Sequence, residues 1–589
     1  MSELRPIVTD TYDFPTLIRR GYVYVDKTKF LHRMISGVDG TCFFMSRPRR
    51  FGKSLMLSTL EQLFLGNKAL FKGLAIVKEK YDWRRYPVIR LDMSVLKANS
   101  ISEYRRILCA AVAAEAARHG LTLEENVQPG WMLNQLIGKL VVRNRKVVVL
   151  VDEYDAPLGG LLSDLKMLEA VRGMLHDFYI TLKVRVADIH FLMMTGVSKF
   201  SKLSVFSGLN NLTDITMNLN YAGLLGYTQR ELAASFDAHI RAFARANGIS
   251  KRRATDDLLA WYDSYRFSPQ SEVCVCNPVS VGRALKEGRI GPYWSSTGNA
   301  TLIVERLRKV KKLPIDLEGV EATESSLGSC DAKSLPVVSL MYQGGYLTIK
   351  GVKKNGRLVL GIPNREVAQS LGSGFLESLS GESSVEFLSV VDELRSGLES
   401  GDYSVDFVRK MLASVFAMVP HEWKLKSEAE AKRYFLLFMK MVGATVKVEV
   451  ESVSGRADAI LEMEKTVYIF EFKYDKSAGA ALKQINSRGY WKSYAADRRR
   501  VVTIGVNYDS RKADIEVAGE VVNPFGEVVN SVDEVVNEVV KSHPGLRKPE
   551  IVPLVGKSRA TVERALAFLI TSGRIEFRGA PKNGGYYAC

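Results

Sequence analysis

Several stretches of this 589-residue chain place charged side chains where apolar runs end, in spacings that suit chemistry on phosphate. The first is Phe43-Phe44-Met45-Ser46-Arg47-Pro48-Arg49-Arg50-Phe51-Gly52-Lys53-Ser54, an apolar strand, a basic loop and the start of a helix. It follows GxxxxGK[ST] except at the first glycine, where Arg47 stands. Gly52 lets backbone amides approach a phosphate, Lys53 reaches the β and γ oxygens, and the Ser54 hydroxyl suits Mg²⁺. Arg49 and Arg50 add positive charge to the loop, and the helix N-terminus adds its partial charge. A second stretch, Lys146-Val-Val-Val-Leu-Val-Asp152-Glu153, ends an apolar strand in adjacent carboxylates. There Asp152 suits Mg²⁺, directly or through water, and Glu153 suits polarising an attacking water. A third apolar run, His190–Thr195, ends in Thr195, a position fit to sense a γ-phosphate. The expected ligands are ATP and Mg²⁺.

A separate group lies far downstream. Gly455-Arg456-Ala457-Asp458 leads into one strand, and Tyr468-Ile469-Phe470-Glu471-Phe472-Lys473 forms the next. Strand alternation puts Glu471 and Lys473 on the same face, with Asp458 at the start of the preceding strand. Two such carboxylates can hold Mg²⁺ or Mn²⁺, which lowers the pKa of a bound water and offsets charge developing on a phosphodiester. Lys473 can orient that water or stabilise the transition state. A further carboxylate is expected from the helix Ser427–Met441, where Glu430 and Glu428 both qualify. A Glu-x-Lys pair is ordinarily a solvated strand face, but this one interrupts an otherwise apolar run, and a buried charged pair needs a reason.

The last stretch is Pro544–Tyr587. Pro544 to Gly556 reads as a helix and turn, and Ser558 is an N-cap for a helix with apolar residues at Val562, Leu566 and Leu569. A β-hairpin follows from Gly573 to Tyr587. This looks like a winged helix-turn-helix, and Arg559, Thr561 and Arg564 fall on the exposed face of its recognition helix, with Lys582 in the wing. Residues 541–589 hold nine Lys/Arg against three Glu, and residues 471–500 hold eight against three acids. Clustered positive charge of this kind suits DNA, and docking on another protein is the competing use of such a tail.

The motifs together carry a resemblance. Tyr24-Val-Asp-Lys-Thr28, Ser46-Arg-Pro-Arg-Arg-Phe-Gly-Lys-Ser54, Val151-Asp-Glu-Tyr-Asp155 and Thr195-Gly-Val-Ser-Lys-Phe-Ser-Lys202 resemble the AAA-ATPase-like family that carries a C-terminal PD-(D/E)XK nuclease domain. So do Trp261-Tyr-Asp-Ser-Tyr-Arg-Phe267, Asn277-Pro278, Tyr293-Trp294 with Thr297-Gly298, and Gly345-Tyr-Leu-Thr348. The match spans roughly residues 5 to 515. It implies that the Arg-Pro-Arg-Arg-Phe loop is usual, so Arg47 is no private lesion. Ser264 departs from the family's glycine, which perturbs a turn between helices. Ala481-Leu-Lys-Gln484-Ile485 resembles the helix after the nuclease strand, which implies that Gln484 and Lys483 face substrate or metal. The resemblance also admits a homo-oligomer, and the winged tail lies beyond its span.

These residues need positioning elements. Candidate strands Thr41–Met45, Val88–Met93, Val147–Val151 and His190–Thr195, each followed by a helical stretch, indicate a parallel α/β sheet. From about residue 221 the pattern turns helical, at Gln229–Asn247 and Ala254–Tyr265; residues 322–334 read as a loop and Ser378–Ser384 as a polar break. Strands return at Val446–Val450, Ala457–Leu461, Val467–Phe472 and Val501–Val506. The expected fold is α/β and multidomain: a P-loop NTPase core over 1–220, a helical or winged lid over 221–377, and a helical connector over 378–424. A PD-(D/E)XK domain over 425–520 and a winged helix over 531–589 complete it. The 46% apolar and 25% charged content is ordinary for globular domains. No run of about 18 uncharged apolar residues suggests a membrane span, and the N-terminus lacks the apolar segment of a secretory signal. Six cysteines with no CxxC spacing argue against a disulfide framework or zinc ribbon; Cys274 and Cys276 read as packing. A cytoplasmic protein follows, with 82 Lys+Arg against 65 Asp+Glu and a net charge of +17. The expected function is an ATP-regulated, metal-dependent DNA endonuclease, in defence against foreign DNA or in mobile-element biology. The alternative is a nucleotide-switched DNA-binding regulator whose nuclease fold does not cut.

Overall fold

The computed structural model describes residues 4–144, 146–161, 164–199, 211–294, 318–328, 337–380, 393–398, 405–417, 427–442, 445–452, 455–463, 465–494, 499–509, 514–522, 528–529, 531–571, 574–580 and 584–588. They divide into two compact units, Met1–Leu371 and Gly372–Cys589. Thr297-Gly298, the Phe200–Lys202 end of the motif that begins at Thr195, and Lys582 lie outside the described residues.

In the first unit, β1 (Cys42–Ser46), β2 (Val88–Asp92), β3 (Val147–Asp152), β4 (Ile189–Gly196) and β5 (Thr213–Asp214) form one sheet in the order β2-β3-β4-β1-β5. Every pairing is parallel. Parallel strands joined through helices are covered on both faces, which is why β1 and β3 are wholly buried and apolar up to their last residues, Ser46 and Asp152. One face packs on the helices Ile101–Arg118, Pro129–Asn144 and Leu165–Val184, through Leu108, Leu136, Leu175 and the strand residues Ile89 and Val149. On the other, Phe64 of the helix Lys53–Phe64 meets Phe191 at 5.0 Å, and Phe191 meets Phe43 at 5.7 Å.

A second core in this unit joins the helices Gln229–Ala246, Lys251–Tyr262 and Pro278–Glu287. Thr228 and Glu231 form a reciprocal capping box on the first, and Asn277 caps the third ahead of Pro278. The region after residue 221 is not only helical. It also contains β6 (Tyr265–Arg266) paired with β7 (Cys274–Val275), and the antiparallel sheet β8-β10-β9 from β8 (Val320–Ala322), β9 (Thr348–Val352) and β10 (Leu358–Gly361). Strands of two to five residues are too short for alternation to betray them. The expected loop at 322–334 is corrected likewise: β8 ends at Ala322, and Glu324–Gly328 is a short helix. Thr323 starts it, its Oγ1 accepting from Ser326 N at 3.2 Å, so the serine-rich run satisfies its own backbone. Residues 329–334 lie outside the described residues. The polar break at Ser378–Ser384 begins inside a helix, Arg365–Ser380, whose last turn takes Ser378 and Ser380.

In the second unit, β11 (Thr445–Ser452), β12 (Gly455–Glu462), β13 (Thr466–Tyr474), β14 (Arg500–Asp509), β15 (Asp514–Val522) and β16 (Val528–Val529) form a six-stranded sheet in chain order. β13 and β14 are parallel, joined through the helix Ala478–Arg488, and the other neighbours are antiparallel. Gly505 of β14 lets that helix lie close, since a Cβ there would sit 2.2 Å from the Ala478 carbonyl oxygen. Asp458 does not begin its strand, which starts at Gly455; it sits within β12. The helices Ser531–Ser542, Lys548–Val555 and Arg559–Thr571 pack with β17 (Ile575–Arg578) and β18 (Gly585–Ala588) around Val536, Ile551, Leu566 and Ile575. Among the described residues, no helix is long and apolar enough to cross a membrane.

Candidate functional site

The loop after β1 is built by its charges as much as by its glycine. Gly52 sits at φ 98° and Arg50 at φ 68°, both left-handed, turning the chain into the helix Lys53–Phe64. Arg47 is buried, its guanidinium 4.2 Å above the Phe267 ring, donating to the carbonyls of Ser46 at 3.3 Å and of Thr216. Burial pulls its pKa down to about 10. The residue in place of the first glycine is thus a strut between the loop and its neighbours. Lys53 is buried and donates to the carbonyls of Arg47 at 3.0 Å and Pro48 at 3.2 Å, across its own loop. Burial lowers its pKa, while Glu153, Asp152 and Asp155 pull the other way. Ser54 occupies the first turn of the helix, and Arg50 is tied to the Tyr293 carbonyl at 2.6 Å. The charge of Arg49 acts on both Lys53 and Glu153, disfavouring the ammonium and favouring the carboxylate.

Strand order brings the acidic ends to this loop. β4 lies between β1 and β3, pairing Met45 with Thr195 and Val151 with Met194, so Thr195 stands between the loop and Asp152. Thr195 Oγ1 donates to Asp152 Oδ1 at 2.6 Å, and the Glu153 amide donates to the same oxygen at 3.0 Å. Glu153 itself is at φ 49°, a strained conformation for a non-glycine residue. Burial raises its pKa and Lys53 opposes that rise. Asp155 accepts from the amides of Val197 at 3.1 Å and Ser198 at 2.6 Å, clamping the turn after β3 to the end of β4. Arg49, Arg50, Gly52, Lys53, Ser54, Asp152, Glu153 and Thr195 therefore come from three adjacent strand ends.

Beside Gly52 opens a cleft of about 540 Å³, its mouth included, with Tyr24, Lys27, Phe51, Thr59 and Tyr227 in its walls. Lys27 is held by Glu231 at 2.7 Å and by the Gly223 carbonyl at 2.7 Å. Motif spacing could not find this cleft, whose walls come from chain positions about 200 residues apart.

The second site lies on the sheet β11–β16. Glu471 and Lys473 share a face of β13 and both are buried. Lys473 Nζ donates to Glu471 Oε1 at 3.0 Å and to the Phe472 carbonyl at 2.8 Å, and lies 3.7 Å from Glu428 Oε1. Gln484, from the helix over Gly505, also donates to Glu471 Oε1. Among the described residues, the buried Glu471 Oε2 has no hydrogen-bond partner. Burial, then the field of Asp458, pushes the Glu471 carboxyl up to about 7. Burial works against the charge on Lys473, but Glu471, Glu428 and Asp458 outweigh it and raise its pKa. Asp458 accepts from the Phe472 amide at 2.9 Å and from Lys432 Nζ at 3.0 Å.

The helix Glu428–Val442 decides between its two acids. At 3.6 residues per turn, Glu430 is about 200° from Glu428, whereas Lys432 and Phe435 return to the Glu428 side. Phe435 packs on Phe470 at 4.6 Å and Phe472 at 5.1 Å, fixing that side toward β13. Glu428 is accordingly the acid brought to Lys473, and Glu430 is instead an electrostatic neighbour of Tyr434. Lys432 was not singled out by sequence, since a lysine on a helix reads as solvated. Among the described residues, no three His, Cys, Asp or Glu side chains converge as a ready metal site. Lys473 bridges Glu471 and Glu428, and Lys432 holds Asp458.

In the tail, Ser558 Oγ accepts from the Thr561 amide at 3.3 Å, placing Arg559, Thr561 and Arg564 on the following helix. Arg559 and Arg564 are exposed. Arg559 and Lys548 both pair with Glu563, at 3.2 and 3.7 Å.

Residues 8–206 match the family model described as "Predicted AAA-ATPase", and residues 426–517 match "PD-(D/E)XK nuclease superfamily". An "Uncharacterized protein in vnfD 5'region" of Azotobacter chroococcum mcd 1 is 34% identical over 512 residues, covering 84% of this chain and 95% of that protein. The solved structure of the Aeropyrum pernix ORC2 protein in ADPNP-ADP complexes is 14% identical with a TM-score of 0.24, over 64% of this chain and 97% of that one. A score that low bears on neither fold nor activity. The chain thus belongs to one family with that relative, and it carries an AAA-ATPase-like domain at 8–206 and a C-terminal PD-(D/E)XK nuclease domain at 426–517.

Proposed function

We propose that this chain is an ATP-regulated, divalent-metal-dependent DNA endonuclease of the cytoplasm. The observation that carries the reading is Glu471, a buried carboxylate with one oxygen unpartnered, set beside Lys473 and within the field of Asp458. An orphan carboxylate oxygen amid like charges is costly without a cation, and Asp458, Glu471 and Glu428 are oxygen donors suited to Mg²⁺ or Mn²⁺. Such an ion supplies charge neutralisation at the phosphodiester and a water of lowered pKa. In this reading Lys473 donates to a phosphate oxygen, and Gln484, which donates to Glu471, holds that carboxylate in its rotamer. In the first unit, Lys53, Ser54 and the flanking arginines bind the triphosphate, and Asp152 and Ser54 hold its Mg²⁺. Glu153 orients water, Thr195 reports on the γ-phosphate, and the cleft at Tyr24 and Tyr227 takes the base.

The domain limits 1–220, 221–377, 378–424, 425–520 and 531–589 belong to this reading. The final domain is a winged helix whose Arg559, Thr561 and Arg564 meet DNA. Defence against foreign DNA, or a mobile element, is a setting that needs nucleotide-gated cutting, and assembly of several copies is compatible with it.

The test is cleavage of closed circular DNA in Mg²⁺ or Mn²⁺, with and without ATP, by wild type and by Asp458→Ala, Glu471→Ala and Lys473→Ala. Wild type should cut and each variant should lose at least 100-fold in rate. The Lys432–Asp458 ion pair favours a second reading, a regulator that binds DNA without cutting. Wild type inert in every metal and nucleotide state would select it.

A further inference from the structure

We infer that Lys432 is a built-in counter-cation of the nuclease site, holding Asp458 until a divalent ion displaces it. The inference rests on the reading of Asp458, Glu471 and Glu428 as metal ligands.

Three carboxylates from different elements lie near one another here without closing into a ready metal cage: Glu428 of its helix and Glu471 of β13 both face Lys473, and Asp458 of β12 lies within the field of Glu471. Two ammonium groups face them, Lys432 and Lys473, and the helix Ala478–Arg488 contributes the neutral amide of Gln484. The five charges leave a net of one negative charge. The two lysines are anchored differently. Lys473 extends from the strand that carries Glu471 and is fixed by the Phe472 carbonyl at 2.8 Å. Lys432 reaches in from the helix, one turn beyond Glu428, and its ammonium lies 3.0 Å from Asp458 Oδ1 with both side chains largely buried. A metal–oxygen bond to Mg²⁺ is about 2.1 Å, so an ion bound at that carboxylate would sit against the like charge of the ammonium, and their repulsion favours withdrawal of Lys432.

Displacement is a matter of rotamers. A lysine stem has four flexible carbons, so Lys432 can swing out without moving the helix. Glu428 stays on the same side of that helix, ready to serve the ion that replaces it. Lys432 therefore has two effects. It steadies the metal-free site against carboxylate repulsion, and it weakens metal affinity by the cost of its removal. It acts through Asp458 and is a positioning residue.

The experiment is a calorimetric Mn²⁺ titration of the full chain as wild type, Lys432→Met and Asp458→Asn, with thermal melts in EDTA and in saturating Mn²⁺. Lys432→Met should bind Mn²⁺ at least tenfold more tightly than wild type. It should also melt lower in EDTA, with the deficit closing in Mn²⁺. Asp458→Asn should bind weakly or not at all, which fixes the titration to this site. Should Lys432→Met fail to fold, Lys432→Gln carries the same expectation, since it too removes the charge. A folded, neutral variant whose Mn²⁺ affinity equals or falls below that of wild type overturns the inference and leaves the metal reading standing. Absence of Mn²⁺ binding by wild type and by the neutral variants removes the metal reading, and this inference with it.

Discussion

Ser264 stands at φ 74°, directly after the Lys251–Tyr262 helix and its cap Asp263, and just before β6. The turn therefore joins a helix to a strand, not the two helices expected from sequence, and a glycine there would have no Cβ to strain. A left-handed L-residue costs about 1–2 kcal/mol, partly offset because glycine loses more freedom on folding. Ser264→Gly should therefore stabilise the first unit by about 0.5–1 kcal/mol, raising its denaturation midpoint in urea. An unchanged or lower midpoint would mean that the serine hydroxyl compensates for the backbone. At the loop after β1 the decisive residues are Lys53 and Glu153. Lys53→Ala should abolish ATP binding without unfolding the protein, because it removes the ammonium that stands against Asp152, Glu153 and Asp155 at the loop. Glu153→Gln should keep ATP affinity and lose hydrolysis by at least 100-fold, consistent with the usual weight of general acid–base catalysis. Equal turnover by Glu153→Gln and wild type would assign the base elsewhere.

At the scale of elements, what sequence revealed followed the strength of the local pattern. β1, β3, β4 and β13 are near-continuous apolar runs ending in polar residues, so their positions and their terminal side chains were both legible. β15 was not, because Glu516 and Glu520 break its apolar pattern. Those two acids have partners in the helix Ala478–Arg488, Glu516 accepting from the Ala478 amide at 3.0 Å and Glu520 from Asn486 at 2.7 Å. The side of a helix was equally hidden: Glu428 and Glu430 are alike in sequence, and only the packing of Phe435 separates them. Glu366 is another group whose setting appears only in three dimensions. It is buried at the start of the helix Arg365–Ser380, accepting from Ser280 Oγ at 2.9 Å and the Trp294 amide at 2.7 Å, with its second oxygen unpartnered among the described residues. Burial pushes its carboxyl up to about 7. A carboxyl raised above its unfolded value favours the folded state only while protonated, so its contribution declines as pH rises from about 4.5 to about 7. Glu366→Gln, which has no charge to bury, should gain stability relative to wild type across that window, by on the order of 2 kcal/mol at pH 8. Urea melts at pH 5 and pH 8 measure it, and a difference between the proteins that does not change with pH would show that Glu366 folds ionised.

For the whole molecule, the proposed binding of DNA turns on the basic tail. Residues 531–589 contain nine Lys/Arg and six Asp/Glu, and three of those acids lie in the Ser531–Ser542 helix, with Asp533 buried. Lys541, Arg547, Lys557, Arg559, Arg564 and Arg578 are exposed, as are Glu550 and Glu576, while the buried Asp533 takes one acid out of the surface sum. Some of that charge is already engaged: Arg559 and Lys548 both face Glu563, and Arg578 pairs with Glu576. A phosphate contact by Arg559 must compete with Glu563, so Glu563→Gln should strengthen DNA binding and Arg559→Ala should weaken it. Each phosphate neutralised steepens the dependence of log affinity on log salt by about 0.9. Removing everything from residue 531 onward should then flatten that slope by about 3 and weaken binding at low salt, while ATP turnover by the first unit stays within twofold. The measurement is fluorescence anisotropy of a labelled duplex across a salt series for full-length and truncated chains. Coincident slopes would mean that the tail docks on a protein, and the DNA contacts would then be sought among the basic residues of 471–500.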